Sequence, residues 1–161
     1  MLRITDQYFW NFVFTIFFVV VVVMGAIILS TEARLAPSEL TLVDFALMTL
    51  AAWRLTRLFV YDTAMKWLRE QFLDATRTKS GVVLEKPRRG PRRTLADLFA
   101  CPWCVGLWAS GLVIFCYLLT PVAFYPVLLL AIGAVASYLQ ILANLTGHAA
   151  ENQKLKSERG F

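Results

Sequence analysis

Residues 40–61 read LTLVDFALMTLAAWRLTRLFVY, and the fold turns on how this stretch is interpreted. Its length and apolar content suit a membrane span, since about 20 apolar residues cross a hydrocarbon core. Two arginines near its end complicate that reading. A charge at the centre of a span costs about 2.5–3.5 kcal/mol on insertion scales. Arg57 lies close enough to the end to snorkel. Arg54 lies about 10 Å deeper than Tyr61 at 1.5 Å per residue, and its Cβ tilts back toward the helix start. Two architectures result. Either the helix emerges near Trp53 and Arg54 is a wet anchor, or the span runs to Tyr61 and Arg54 pairs inside the bundle. In the second case its partner is a carboxylate, an amide or backbone carbonyls, with Gln140 and Asn144 the amides on offer.

Three further apolar blocks surround this one, at about 9–29, 104–120 and 125–146. Hydrophobic residues make up 58% of the 161 positions. They come in blocks, not at the amphipathic spacing of a soluble core, which excludes a soluble globular domain. The expected fold is therefore all-α: one polytopic membrane domain over residues 1–161, with about four transmembrane helices and a cytoplasmic amphipathic helix. The first block is longer than the 7–15 apolar residues of a signal peptide. It opens with Tyr8, Phe9 and Trp10, an interfacial aromatic cluster, and is read as a retained span. Val19–Val23 would suit a strand in water, but a lone strand in lipid leaves its backbone groups unpaired.

Orientation follows from lysine and arginine. Residues 62–100 carry Lys66, Arg69, Arg77, Lys79, Lys86, Arg88, Arg89, Arg92 and Arg93, whereas the first connection holds only Arg34 and residues 120–124 hold no charge. The polar tail, 147–161, adds Lys154, Lys156 and Arg159. Positive residues resist translocation, so the basic loop and both termini are expected in the cytoplasm. Within that loop Leu55, Leu58, Met65, Leu68 and Phe72 recur at helical spacing, which predicts an amphipathic helix along the membrane surface from Trp53 to Asp74. From Thr76 to Arg93 the pattern predicts a mobile loop. Its basic cluster would attract anionic lipid headgroups at about 1 kcal/mol per charge. Nucleic acid is not an expected partner, because the loop has no stacking aromatics and no recognisable module.

In the last block Gly133, Ser137, Gln140, Asn144 and Gly147 follow steps of three and four and share one helical stripe. Gly106 and Ser110 offer small residues at the spacing that lets helices approach closely. A packed hairpin of the third and fourth spans, turned by Thr120-Pro121 and Pro126, is the expectation. Other membrane subunits or a second copy of the chain are the expected protein partners.

Between the basic loop and the third span stands Cys101-Pro102-Trp103-Cys104. Thr94 followed by Asp97 reads as a helix start. Pro102 ends that helix and opens the next, leaving Cys101 at the cap and Cys104 in the first turn, where a thiolate is favoured. A closed zinc site needs about four ligands, and this pair supplies two. His148 and Asp97 would complete a zinc or iron site, or a dimer would pool two such pairs, because Cys116 lies about 18 Å further along the helix. Trp103 and Trp108 suit interfacial anchors without any chemistry. The cytoplasm keeps thiols reduced, which disfavours a permanent disulfide. Structural, metal-binding and redox uses stay open at this point, with no resident cofactor as the first expectation.

The order of Trp53-Arg54-Leu55-Thr56-Arg57-Leu58, Asp62, the basic loop and Cys101-Pro102-Trp103-Cys104-Val105-Gly106-Leu107-Trp108 resembles the bacterial membrane family catalogued as domain of unknown function 1360. The resemblance runs from about Leu40 to Asn144 and leaves the first span outside. It implies a small multi-pass protein of the bacterial cytoplasmic (inner) membrane, and no reaction. No phosphate-binding glycine loop, HExxH or GxSxG pattern occurs. The expectation is a non-enzymatic packing, anchoring or assembly partner; the alternative is a thiol-redox or metal-binding protein centred on Cys101 and Cys104.

Overall fold

The computed structural model describes residues 2–33, 35, 37–78 and 81–158, with side chains from residue 7 onward except at 37, 76–78 and 81–83. Arg34, Lys79 and Arg159, three of the charges behind the expected orientation, lie outside the described residues. Six helices and one hairpin follow in the order α1 (Leu2–Glu32), α2 (Leu42–Val60), α3 (Lys66–Glu70), β1 (Asp74–Thr78), β2 (Gly81–Glu85), α4 (Pro91–Ala100), α5 (Pro102–Leu119) and α6 (Phe124–Glu158). Short 3-10 turns at Pro37–Glu39, Thr63–Met65 and Pro121–Ala123 join some of them.

Among the described residues, three helices are long and apolar enough to cross a membrane: α1 from Gln7 onward, α5, and α6 with the turn before it. The second expected span, α2, falls outside that set and carries Asp44, Arg54 and Arg57 among its 19 residues. It is nonetheless the centre of the bundle. Thr41 caps it: the hydroxyl accepts from the Asp44 N–H (3.2 Å), and the Asp44 carboxylate accepts from the Thr41 N–H (3.0 Å). This reciprocal box satisfies donors that a helix start leaves orphaned. The phenol of Tyr117 on α5 donates to the same carboxylate, tying α5 to α2 at that end.

The core is built on α2. Met48, Ala51 and Ala52 pack with Val113, Tyr117 and Leu118 of α5 and with Val127 of α6. Small side chains bring the backbones close. A Cβ at Gly106 of α5 would sit 3.6 Å from the Thr56 hydroxyl, and one at Gly133 of α6 would sit 3.7 Å from the Arg54 Nε. The stripes expected to join α5 to α6 are thus occupied by α2, which lies between them, and α5 and α6 touch each other little. Helix α1 leans on α5 through Trp108, whose ring meets Phe17 at 6.0 Å and Phe18 at 4.7 Å. Leu29 packs at the edge of the core, but much of the rest of α1, Val19–Val23 included, leaves its apolar side chains exposed. That arrangement costs heavily in water and little in lipid.

Residues 62–100 form a folded cap over one end of the bundle. The amphipathic helix expected from Trp53 to Asp74 is broken at Asp62. There the Tyr61 and Asp62 N–H groups both donate to the Arg57 carbonyl, at 2.8 and 3.1 Å, and end α2. The stretch expected to be a mobile loop contains the hairpin β1–β2, antiparallel from Asp74↔Glu85 to Thr78↔Gly81. The β-branched pair in Val82-Val83-Leu84 suits a strand once a partner is supplied. Phe72 stacks on Phe99 of α4 at 5.2 Å. Arg92 of α4 reaches the Asp74 carboxylate (3.2 Å) and the Gln71 carbonyl (2.9 Å). Lys86 pairs with Asp97 at 2.7 Å.

Helix α4 begins at Pro91, three residues before the expected start at Thr94, with Gly90 at its cap. Gly90 adopts φ +89°, ψ −177°, a region essentially closed to other residues. Thr94 is buried; its hydroxyl accepts from the Gln7 amide of α1 (3.0 Å) and donates to Asn11 (3.3 Å).

Candidate functional site

Where α2 ends, its last two turns face α6 across an open-sided cleft of about 370 Å³, lined by Arg54, Arg57, Asp62, Ala136, Ser137, Gln140 and Ile141. The backbone break at Asp62 turns its side chain back along α2, and its carboxylate accepts from the Arg54 guanidinium at 2.7 Å. Both side chains are about a quarter exposed. Asp62 is held in place by Arg69, which donates to the Phe59 carbonyl (2.8 Å) and to the Asp62 carbonyl (3.0 Å). Gly133 gives the Arg54 stem room to lie against α6.

Arg54 is therefore paired, but not with the residues expected of it. Its partner is Asp62, eight positions on in its own chain. Gln140 instead donates to Asn144 at 3.2 Å, and Ser137 donates to the Gly133 carbonyl at 2.7 Å. Arg69 escaped the sequence reading. Its distance of seven residues from Asp62 is uninformative until the chain reverses there. Arg57 is held differently from Arg54. Its guanidinium lies 5.5 Å from the Trp53 ring centroid and 5.6 Å from that of Tyr61. The Arg57 Nε is buried and has no hydrogen-bond partner among the described residues.

The thiols lie at the start of α5. Cys101 is the cap, as expected, and its sulfur accepts from the Cys104 N–H at 3.3 Å. The Cys104 side chain, followed by that backbone N–H, lowers the Cys101 pKa from its ordinary value. The thiolate expected at Cys104 is thus favoured at Cys101 instead. Cys104 is exposed, and all three cysteines are free. His148 is exposed on α6. Among the described residues no three His, Cys, Asp or Glu side chains gather as an ion would need. Trp103 is 88% exposed at the head of α5, while Trp108 is taken up by its packing on α1.

Long apolar helices with exposed apolar flanks, a folded polar cap and a half-buried charged cleft define a small helical protein of the membrane-associated class. The charged cleft and the thiol pair lie between the start of α2 and the middle of α6. The chain belongs to the family described as "Protein of unknown function (DUF1360)", whose model matches residues 47–143. It is similar to Sporulation protein YjcA of Bacillus subtilis (strain 168), with 34% identity over 106 residues, covering 61% of this chain and 88% of that protein. It is also similar to UPF0713 protein YngL of the same organism, with 31% identity over 105 residues, covering 63% of this chain and 79% of that protein. No solved structure matches significantly. The resemblance noted from the Arg, Asp and Cys order is borne out, and α1 lies outside the match.

Proposed function

We propose that the chain is a four-span protein of the bacterial cytoplasmic membrane, with both termini and residues 62–100 in the cytoplasm, that anchors and helps assemble other membrane proteins without catalysis. Helix α2 supplies the fourth crossing. Its 19 residues extend about 28 Å at 1.5 Å each, close to the roughly 30 Å of a hydrocarbon core. Pairing Arg54 with Asp62 removes one of the two arginine charges that oppose its insertion.

The observation that carries the assembly reading is the cap. A loop that only obeyed the positive-inside rule would need no fold, yet residues 62–100 form a helix, a hairpin and a second helix locked by Arg92–Asp74 and Lys86–Asp97. With Lys86, Arg92 and Arg93 paired to Asp97 and Asp74, the Arg88 and Arg89 side chains stay exposed and make no hydrogen bond or ion pair among the described residues, although the Arg88 carbonyl accepts from Arg93 at 3.0 Å. They offer a shaped cationic surface to a protein partner and to anionic headgroups. Photocrosslinkers placed at Arg88 and, as a control on the opposite side, at Val122 test the reading in intact membranes. Discrete protein adducts from position 88 support it; adducts with lipid alone remove the assembly role.

A second reading, thiol-redox or metal-binding activity, is favoured by Cys101, whose lowered pKa and exposed neighbour Cys104 are the features of a reactive pair. Zinc or iron that co-purifies in stoichiometric amount and falls with Cys101→Ser would establish the metal form. Normal function of the double Cys101→Ser, Cys104→Ser chain would dismiss both forms.

A further inference from the structure

The cleft between α2 and α6 contains two arginines and one carboxylate. Arg54 and Asp62 neutralise each other at 2.7 Å, so Arg57 leaves the cleft one positive charge in excess. Its ring contacts orient the guanidinium but do not satisfy it, because aromatic faces take up little of its hydrogen-bonding capacity. The Nε is already removed from solvent without an acceptor among the described residues. A planar fork of this kind is matched by the paired oxygens of a carboxylate or phosphate. On the facing wall Gln140 spends one N–H on Asn144 and has a second to donate.

We propose that this cleft binds a phosphate group, supplied by the headgroup of an anionic phospholipid. The two non-bridging oxygens of a phosphodiester serve both the Arg57 fork and the Gln140 amide, and the acyl chains of such a lipid suit the exposed apolar side chains of Ile141 and Leu145 on α6. The cleft volume of about 370 Å³ falls at the small end of ligand sites. Ala136 and Ile141 line the same cleft and give it an apolar margin on α6. Arg57 precedes Tyr61 by four residues, about 6 Å along the axis, which is headgroup depth if α2 ends at the interface. The lipid source rests on the four-span reading above; the anion site itself does not.

The test uses the full chain in mild detergent, titrated separately with phosphatidylglycerol, phosphatidylcholine and inorganic phosphate, with binding followed by native mass spectrometry and by thermal unfolding. Phosphatidylglycerol should bind and raise the melting temperature, and phosphatidylcholine should bind at least about tenfold more weakly. Arg57→Gln should lose about tenfold or more in phosphatidylglycerol affinity, the worth of one charge-assisted hydrogen bond. Ala136→Leu, which fills the cleft without altering a charge, should lose it as well, so the test survives if Arg57→Gln folds poorly. Lys154→Gln, a charge loss on the exposed end of α6, should bind as the native chain does. Native-like phosphatidylglycerol binding by both Arg57→Gln and Ala136→Leu would overturn the proposal. If inorganic phosphate binds in an Arg57-dependent way while the binding of neither lipid depends on Arg57, the anion site stands and the lipid source falls, and the four-span reading is left to the reporter fusions that test it.

Discussion

Asp62 reaches back over two helical turns to hold Arg54, and the energetics of the bundle end depend on that single reversal. Removing either partner orphans the other at about 1–3 kcal/mol, toward the lower end because both side chains are partly exposed. Arg54→Gln and Asp62→Asn should each destabilise the chain in detergent denaturation, and the double variant should cost less than their sum. Strict additivity would show that the two groups are not coupled. The pairing escaped the sequence reading because an i, i+8 contact on one helix is geometrically closed. Only the break at Asp62 opens it.

Cys101 carries a second residue-level prediction. Its folded-state pKa is lowered by the Cys104 side chain and N–H, so its thiolate survives to lower pH in the native chain than in the denatured one. Alkylation of Cys101 below the ordinary thiol pKa should therefore be faster in native protein, and the difference should vanish at high pH, where both forms are ionised. By linkage the same interaction stabilises the fold above the unfolded pKa, and this contribution is lost as pH falls through the folded one. Equal native and denatured rates at every pH would show that the capping bond does not act on the thiolate.

At the scale of elements, the apolar runs behind α1, α5 and α6 were readable because about 20 consecutive apolar residues have few other uses. The small-residue stripes on α5 and α6 were also readable, but not their partner. Gly106 and Gly133 show only that something approaches closely, and the something is α2. The hairpin was hidden for a different reason. Val82, Val83 and Leu84 form too short a run to announce a strand, and β1 opposite them is largely polar. What secures the hairpin against α4 is a set of long-range ion pairs that no local pattern displays. Gly90 turns the chain into α4, and its backbone conformation is open essentially only to glycine. Gly90→Ala should cost about 1–3 kcal/mol even though a Cβ there meets nothing within 4 Å. A neutral result in denaturation would mean that the turn re-forms without strain.

For the whole molecule, the deciding question is how many times the backbone crosses the membrane. Reporter fusions at Gly90 and Ala123 should report opposite sides, Gly90 in the cytoplasm and Ala123 outside. The bundle itself places the cap and the Pro121–Ala123 turn at opposite ends of α5. Finding Gly90 exported would reverse the positive-inside assignment, and finding both on one side would remove α5 as a span.

The central place of α2 has a consequence for synthesis. The helix around which the bundle closes is made before both of its partners, and Phe124, where α6 begins, follows Val60 by roughly sixty residues. At about 5–20 residues per second a ribosome leaves α2 without α6 for roughly 3–12 s. During that interval Arg54 lacks the face of α6 at Gly133 against which its stem lies. Asp62 is translated within a second or two of Arg54 at the same rate. If α2 inserts as the fourth span proposed above, the carboxylate would serve as a provisional counter-ion until the rest of the bundle arrives. Asp62→Asn should accordingly lower the yield of inserted protein more than it lowers the stability of the molecules that do insert.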